Sequence, residues 1–184
     1  MSVQKPIYSE DYSRHWPVNV EGKTVIDVGA DYGSTAYYFL QKGAVRVVCV
    51  EGNPALYKQL EANMRFLPNC VAVYKNIESP VDFTDILKNT AEIVKVDVEG
   101  AEKHLLKVAP SLLQQHYEWI IEMHRNIDRR AFTRHFQSVG FDVVNMFPYG
   151  FGLTVIHFLR HDIPRGSLTE TLKQFVLLYP SDRP

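Results

Sequence analysis

Four groups that can move protons stand at the ends of two apolar runs. Asp97 and Glu99 close Ile93-Val94-Lys95-Val96-Asp97-Val98, and Glu122 and His124 close Trp119-Ile120-Ile121-Glu122-Met123. If these runs are neighbouring strands, the four groups share one rim. Carboxylates clustered with one imidazole supply a general base for an acceptor that must lose a proton. Asp97, Glu99 and His124 are the candidates for that role. The same four groups are also a donor set for a hard divalent cation, the less favoured of the two readings. The plainer alternatives are a satisfied histidine at His124 and, for Glu99 and Glu102, acids stabilised by the start of a helix.

A second constellation lies upstream. Val25 to Ser34 reads as an apolar strand, a turn through Gly29 and Gly33, and the start of a helix. Val50-Glu51-Gly52-Asn53 ends another apolar strand about twenty residues on, the spacing of a nucleoside-binding βαβ unit. In such a unit glycine lets the backbone approach the ligand, and the acid accepts hydrogen bonds from ribose hydroxyls. Glu51 is therefore the expected ribose acceptor. Asp27, inside the first strand, either touches the ligand or orients the turn from behind through hydrogen bonds.

These groups need a scaffold, and the chain alternates strand-like and helical patterns. Strands are expected over Val25–Val28, Val45–Val50, Val71–Tyr74, Ile93–Val98, Trp119–Met123, Val143–Phe147 and Thr154–Leu159. Helices are expected from Ser34 to Lys42, from Asn53-Pro54 with a stripe of Leu56, Leu60, Met64 and Leu67, and over Phe83–Lys88. Further helices are expected over Ala101–Val108, Pro110–Gln115 and Arg129–Val139, with a short one near Leu168–Phe175. This alternation predicts an α/β fold with a parallel sheet covered on both faces. The last two strands lack a helix between them and should pair antiparallel at one edge.

Composition bounds the class. The chain has 184 residues, 46% hydrophobic and 22% charged, with 20 basic and 21 acidic residues and a formal charge of −1. That suits one globular domain over 21–184 with an extension over 1–20 that packs near the site. The near-neutral charge makes nucleic acid an unlikely partner. Cys49 and Cys70 lie in apolar runs and read as two buried thiols. The start of the chain is polar and no run is long enough for a membrane helix, so a soluble, cytoplasmic protein without membrane contact is expected. A homodimer is allowed. His104, His116, His135, His157 and His161 show no metal-ligand spacing.

The order of elements, with Asp27, Gly29 and Gly33 as D-x-G-x-x-x-G, resembles the class I S-adenosylmethionine-dependent methyltransferases. The dinucleotide fingerprint G-x-G-x-x-G does not fit. Lys95-Val96-Asp97-Val98-Glu99-Gly100-Ala101-Glu102 is similar to the K-x-D-V-E-G-A-E signature of FkbM-type methyltransferases. VIDVGADYGSTAYYFLQKGA resembles that family's first motif, where asparagine is commoner than Asp31. The resemblance spans roughly Lys23 to Phe158. It implies a Rossmann-like, seven-stranded, mostly parallel sheet in the order 3-2-1-4-5-7-6, with helices on both faces. S-adenosylmethionine is the implied cofactor. Its methionine part would lie over Gly29, Ala30, Asp31 and Gly33, with its carboxylate at the N–H groups that open the next helix and with Ser34 and Thr35 as hydroxyl donors. Asp31 would face solvent or the ammonium. Gly52 and Asn53 would flank the adenine; Asn76 either reads its amino group or is a turn residue. Asp97 would touch the cofactor as well as the acceptor.

The implied activity is methyl transfer to a hydroxyl of a small molecule or sugar. The alternatives are an RNA or protein methyltransferase, or a module that binds the cofactor without turnover. The segment Asn76 to Ala91 is shorter than in many relatives of that family. Tyr149-Gly150-Phe151-Gly152 should form a turn facing the acceptor, with Tyr12, His15 and Trp16 lying over it.

Overall fold

The computed structural model describes Tyr12, residues 16–149 and residues 152–163. The readings for His15, Gly150, Phe151 and the helix near Leu168–Phe175 lie outside the described residues. Seven strands form one sheet: β1 Thr24–Val28, β2 Arg46–Glu51, β3 Cys70–Tyr74, β4 Ile93–Val96, β5 Glu118–Met123, β6 Phe141–Tyr149 and β7 Leu153–Arg160. Their order is β3-β2-β1-β4-β5-β7-β6. The first five are parallel, and β7 runs antiparallel between β5 and β6. This is the order and polarity expected from the sequence.

The central strands read as near-continuous apolar runs because both of their faces are covered. Helix α1 (Ser34–Gln41) and helix α2 (Pro54–Asn63) cover one face, with Trp16, Val18 and Val20 beside them. Helices α3 (Pro80–Leu87), α4 (Pro110–Leu113) and α5 (Arg129–Ser138) cover the other, around Phe83, Leu113, Phe132 and Phe136. Alternate residues of β1 and β4 serve the two layers, as the period of two requires. Ile26, Val28, Val94 and Val96 face the α3–α5 layer. Val25 and Ile93 face the α1–α2 layer, and Asp27 and Lys95 share their phase.

Several elements differ in their bounds from the sequence reading, and three of the differences have a visible cause or consequence. Helix α2 stops at Asn63, and Met64–Phe66 continues as a 3₁₀ turn. Pro68 disfavours helical geometry at Leu67, which sits at φ −125, ψ 65. The expected stripe is therefore split: Leu60 is buried under the sheet edge, whereas Leu56 lines a cleft. Strand β4 ends at Val96, not Val98, because the Val98 N–H is taken by the Glu102 side chain at 3.1 Å. Glu99 (φ 52) and Gly100 (φ 101) then turn the chain, and Ala101–Lys107 is a 3₁₀ helix rather than an α-helix. Of the two thiols, Cys49 is buried and Cys70 only half-buried; both are free. No helix among the described residues is long and apolar enough to cross a membrane.

Candidate functional site

The strand order reverses between β1 and β4, so the loops leaving them diverge and open a crevice at the carboxyl ends of the strands. A cleft of about 610 Å³ lies there, bordered by Gly29, Asp31, Glu51, Gly52, Asn76 and Asp97. Its floor is tight. A Cβ on Gly29 would stand 1.7 Å from the Asp97 carbonyl oxygen, and Gly29 has φ 81, so no side chain fits at the crossing of β1 and β4. A Cβ on Gly52 would stand 2.8 Å from Cα of Asn76, which lets the end of β3 cross directly over the end of β2.

Glu51 ends β2, and its carboxylate faces this cleft. One oxygen accepts the Asp31 N–H at 2.8 Å and the other the Asn53 N–H at 2.7 Å. Each oxygen keeps lone-pair capacity for a further donor. Asp31 lines the cleft in a left-handed conformation, φ 52, uncommon without glycine. Burial, then the neighbouring Glu51, pushes its pKa up. Asn53 lines the cleft too, but its side chain caps α2 by accepting the Ala55 and Leu56 N–H groups. The Asn76 amide donates to Glu78 at 2.7 Å.

Five expected cofactor contacts stand behind this lining. Asp27 is fully buried on the α1 side of the sheet. It lies opposite Lys95 in the β1–β4 register and pairs with its ammonium at 2.9 Å. Lys95 also donates to the Gly29 carbonyl at 2.8 Å. The pair thus holds the turn from below, which is the indirect role for Asp27. Burial opposes the Lys95 charge, but Asp27 and then Asp97 outweigh it and raise its pKa. Ala30, Gly33, Ser34 and Thr35 are buried beneath the turn. A Cβ on Gly33 would meet Leu67 and Leu60 at 3.0 and 3.1 Å, so this glycine serves the packing of α1 on α2 rather than a ligand. Trp16 is buried in the same layer, its ring 5.1 Å from the Lys95 ammonium, and does not cover the acceptor side. Tyr12 meets Tyr38 of α1 with ring centroids 5.8 Å apart. Lys75 and Ile77, which flank Asn76 after the third strand and were expected in the adenine region with it, also border the cleft. Sequence reasoning did not single out Tyr32, Leu56 or Val98 for it.

A second hollow, about 390 Å³, adjoins the first and is lined by Glu99, Glu122, His124, Arg125, Asn126 and Leu153. Glu99 borders both. His124 is its centre. Nδ1 lies 2.9 Å from Oε1 of Glu102, which is fully buried. Nε2 lies 3.3 Å from Glu99 and 4.0 Å from both Asp97 and Glu122. The four expected rim groups therefore meet. Glu99, however, leaves from the left-handed turn beyond the strand, with its side chain 90% exposed. Burial pulls the His124 pKa down, but Glu102, Glu99 and Asp97 outweigh it and hold the pKa above the ordinary value.

Burial, reinforced by Asp97, pushes Glu122 to about 7. The folded chain thus keeps a proton that the unfolded chain releases near 4.5. The contribution of Glu122 to native stability therefore falls as pH rises from that value to about 7, with its penalty complete above it. Glu122→Gln carries no such proton. It should exceed the wild type in stability by about 1–2 kcal/mol at pH 8, after discounting for solvent screening, and by little at pH 4.5. Urea unfolding at the two pH values in chelator-containing buffer checks this; an equal gap at both would contradict it.

The sheet order and the cleft at its switch point define a Rossmann-like fold of the class I methyltransferase type. A protein in the NADB-Rossmann superfamily from Streptococcus agalactiae shares it, with a TM-score of 0.67 at 12% identity over 98% of this chain and 81% of that one. Aeropyrum pernix fibrillarin, in complex with natively bound S-adenosyl-L-methionine, shares it with a TM-score of 0.58 at 14% identity over 77% of this chain and 69% of that one. No protein-family model matches the chain. The chain belongs to the family of Uncharacterized protein 65 of Sulfolobus islandicus filamentous virus (isolate Iceland/Hveragerdi), to which it is 33% identical over 120 residues, 62% of this chain and 70% of that protein.

Proposed function

We propose that this chain is a methyltransferase of the FkbM type. It binds S-adenosylmethionine in the larger cleft and passes the methyl group to a hydroxyl of a small molecule or sugar held in the smaller hollow. The observation that carries the reading is Glu51: a carboxylate at the end of β2, braced by two backbone N–H groups and open to the cleft. A braced carboxylate there suits the paired hydroxyls of a ribose. Asn76 and Gly52 border the space for adenine, and Asp97 stands where the cleft meets the hollow.

Transfer is an in-line displacement. With the cofactor bound, the acceptor oxygen would bond the methyl carbon while the carbon–sulfur pair returns to sulfur. The cofactor supplies the leaving group, so the protein orients the acceptor and receives its proton. Asp97, Glu99 and His124 line the junction for that purpose. An RNA or protein acceptor is the second reading, favoured by Arg125 in the wall of the hollow and by Arg129, Arg130 and Arg134 on the neighbouring α5. Against it, the acids that face the hollow repel phosphate.

The test is calorimetric titration with S-adenosylhomocysteine, with NADH as control. The expected dissociation constant is near micromolar, about −8 kcal/mol, with no NADH signal. A screen of hydroxylated compounds, RNA and peptides then separates the acceptor classes. Binding without transfer to any of them would mark a non-catalytic module. Asp97→Asn should lose transfer far more than cofactor affinity; equal losses would leave Asp97 a cofactor ligand alone.

A further inference from the structure

Glu122 has no partner adequate to its burial. It is 8% exposed, and no donor among the described residues bonds it; His124 Nε2 stands 4.0 Å away. A buried carboxylate in that position ordinarily finds a donor or a cation. His124 is arranged to match. Glu102 lies 2.9 Å from its Nδ1 with the same oxygen that accepts the Val98 N–H, so the ring is held from behind, and in the neutral ring with the proton on Nδ1 the Nε2 lone pair faces the hollow. A carboxylate behind a histidine in this way orients and strengthens it as a metal ligand. Asp97 contributes Oδ1, 4.0 Å from Nε2, while its other oxygen lies 3.9 Å from the Lys95 ammonium. One donor atom from each of Asp97, Glu122 and His124 lies within 4.8 Å of the other two. A cation about 2.2 Å from each ligand holds its ligands roughly 3 to 4.4 Å apart, so small side-chain rotations close the set.

We propose that Asp97, Glu122 and His124 bind a divalent cation of the Mg²⁺ or Mn²⁺ class, with Glu102 as the positioning carboxylate behind His124. Two carboxylates and one imidazole suit that class, and Mn²⁺ accepts the mixed oxygen and nitrogen set. The ion's remaining positions face the hollow bordered by Glu99, Arg125 and Leu153. An acceptor with a hydroxyl, or two neighbouring oxygens, completes the coordination. The bound O–H would then give up its proton more readily, to water or to the exposed Glu99 carboxylate, the candidate base that the ion leaves free, and the oxygen would attack the methyl carbon as the carbon–sulfur pair leaves with sulfur. This last step rests on the methyl-transfer reading; the cation site does not.

The experiment titrates Mn²⁺ into the chelator-stripped 184-residue chain without cofactor, following free ion by electron paramagnetic resonance. One ion per chain is expected, with nitrogen coupling from one imidazole in the pulsed spectrum. Glu122→Gln should weaken binding about tenfold or more, and His124→Ala should abolish the coupling. Asp85→Asn, an exposed acid elsewhere, should change neither. If His124→Ala does not fold, the shape-preserving Glu122→Gln decides. No saturable binding, unchanged affinity in Glu122→Gln, or a bound ion without nitrogen coupling overturns the proposal. Because no cofactor is present, each of these outcomes is independent of the S-adenosylhomocysteine titration.

Discussion

Glu51→Ala should lower affinity for S-adenosylhomocysteine by about a hundredfold, or about 3 kcal/mol. Two contributions add to that figure. Hydrogen bonds from ribose hydroxyls to an ionised acceptor are worth about 1.5 kcal/mol or more each. The carboxylate also braces the Asp31 and Asn53 N–H groups, and alanine releases both. Asp31 occupies a left-handed conformation that costs about 1 kcal/mol outside glycine, so without its brace the turn relaxes away from the binding geometry. Glu51→Gln separates the two effects. Its amide oxygen still accepts one N–H, its charge is gone, and affinity should fall only about tenfold. Calorimetry on both variants measures this; affinity unchanged in Glu51→Ala would remove the ribose assignment.

The largest effect on stability is expected at Lys95. Lys95→Met leaves the Asp27 carboxylate, 0% exposed, without its ammonium. Removing one partner of a buried pair costs about 3–5 kcal/mol because the other charge stays uncompensated. Domains of this kind have about 5–15 kcal/mol in all, so the variant should unfold at markedly lower urea. The double variant Asp27→Asn with Lys95→Met should recover most of the loss, since no buried charge then remains. A double variant no better than the single would show that Lys95 acts through its bond to the Gly29 carbonyl alone. The same bond links stability to function: in folded Lys95→Met the turn loses its anchor, and cofactor affinity should fall with it.

The architecture was legible along the chain because its signals are local. Apolar runs separated by helical spacing marked the strands, and Gly29, Glu51 and Asp97 were placed at their ends by that pattern alone. The sheet order followed from the resemblance carried by two motifs. Boundaries failed where a single neighbour intervened: Pro68 shortened α2, and the Glu102 side chain, in taking the Val98 N–H, ended β4 early. Ser34 and Thr35 look like ligand donors by position, yet α1 turns them into the layer beneath the cleft.

By itself, then, the sequence determined which residues end strands, which turn needs glycine and which acids crowd one rim, since residue type and periodicity act over a few neighbours. Only the tertiary structure decided the partnerships. Asp27 meets Lys95 through the register of β1 on β4, 68 residues apart in the chain. Glu102 reaches under His124 across 22 residues, and Glu122 is left buried without a donor among the described residues. Pairings of this kind depend on strand register and on how far each side chain is withdrawn from water. Both are properties of the packed sheet, because a buried charge is stable only where the fold brings it a partner.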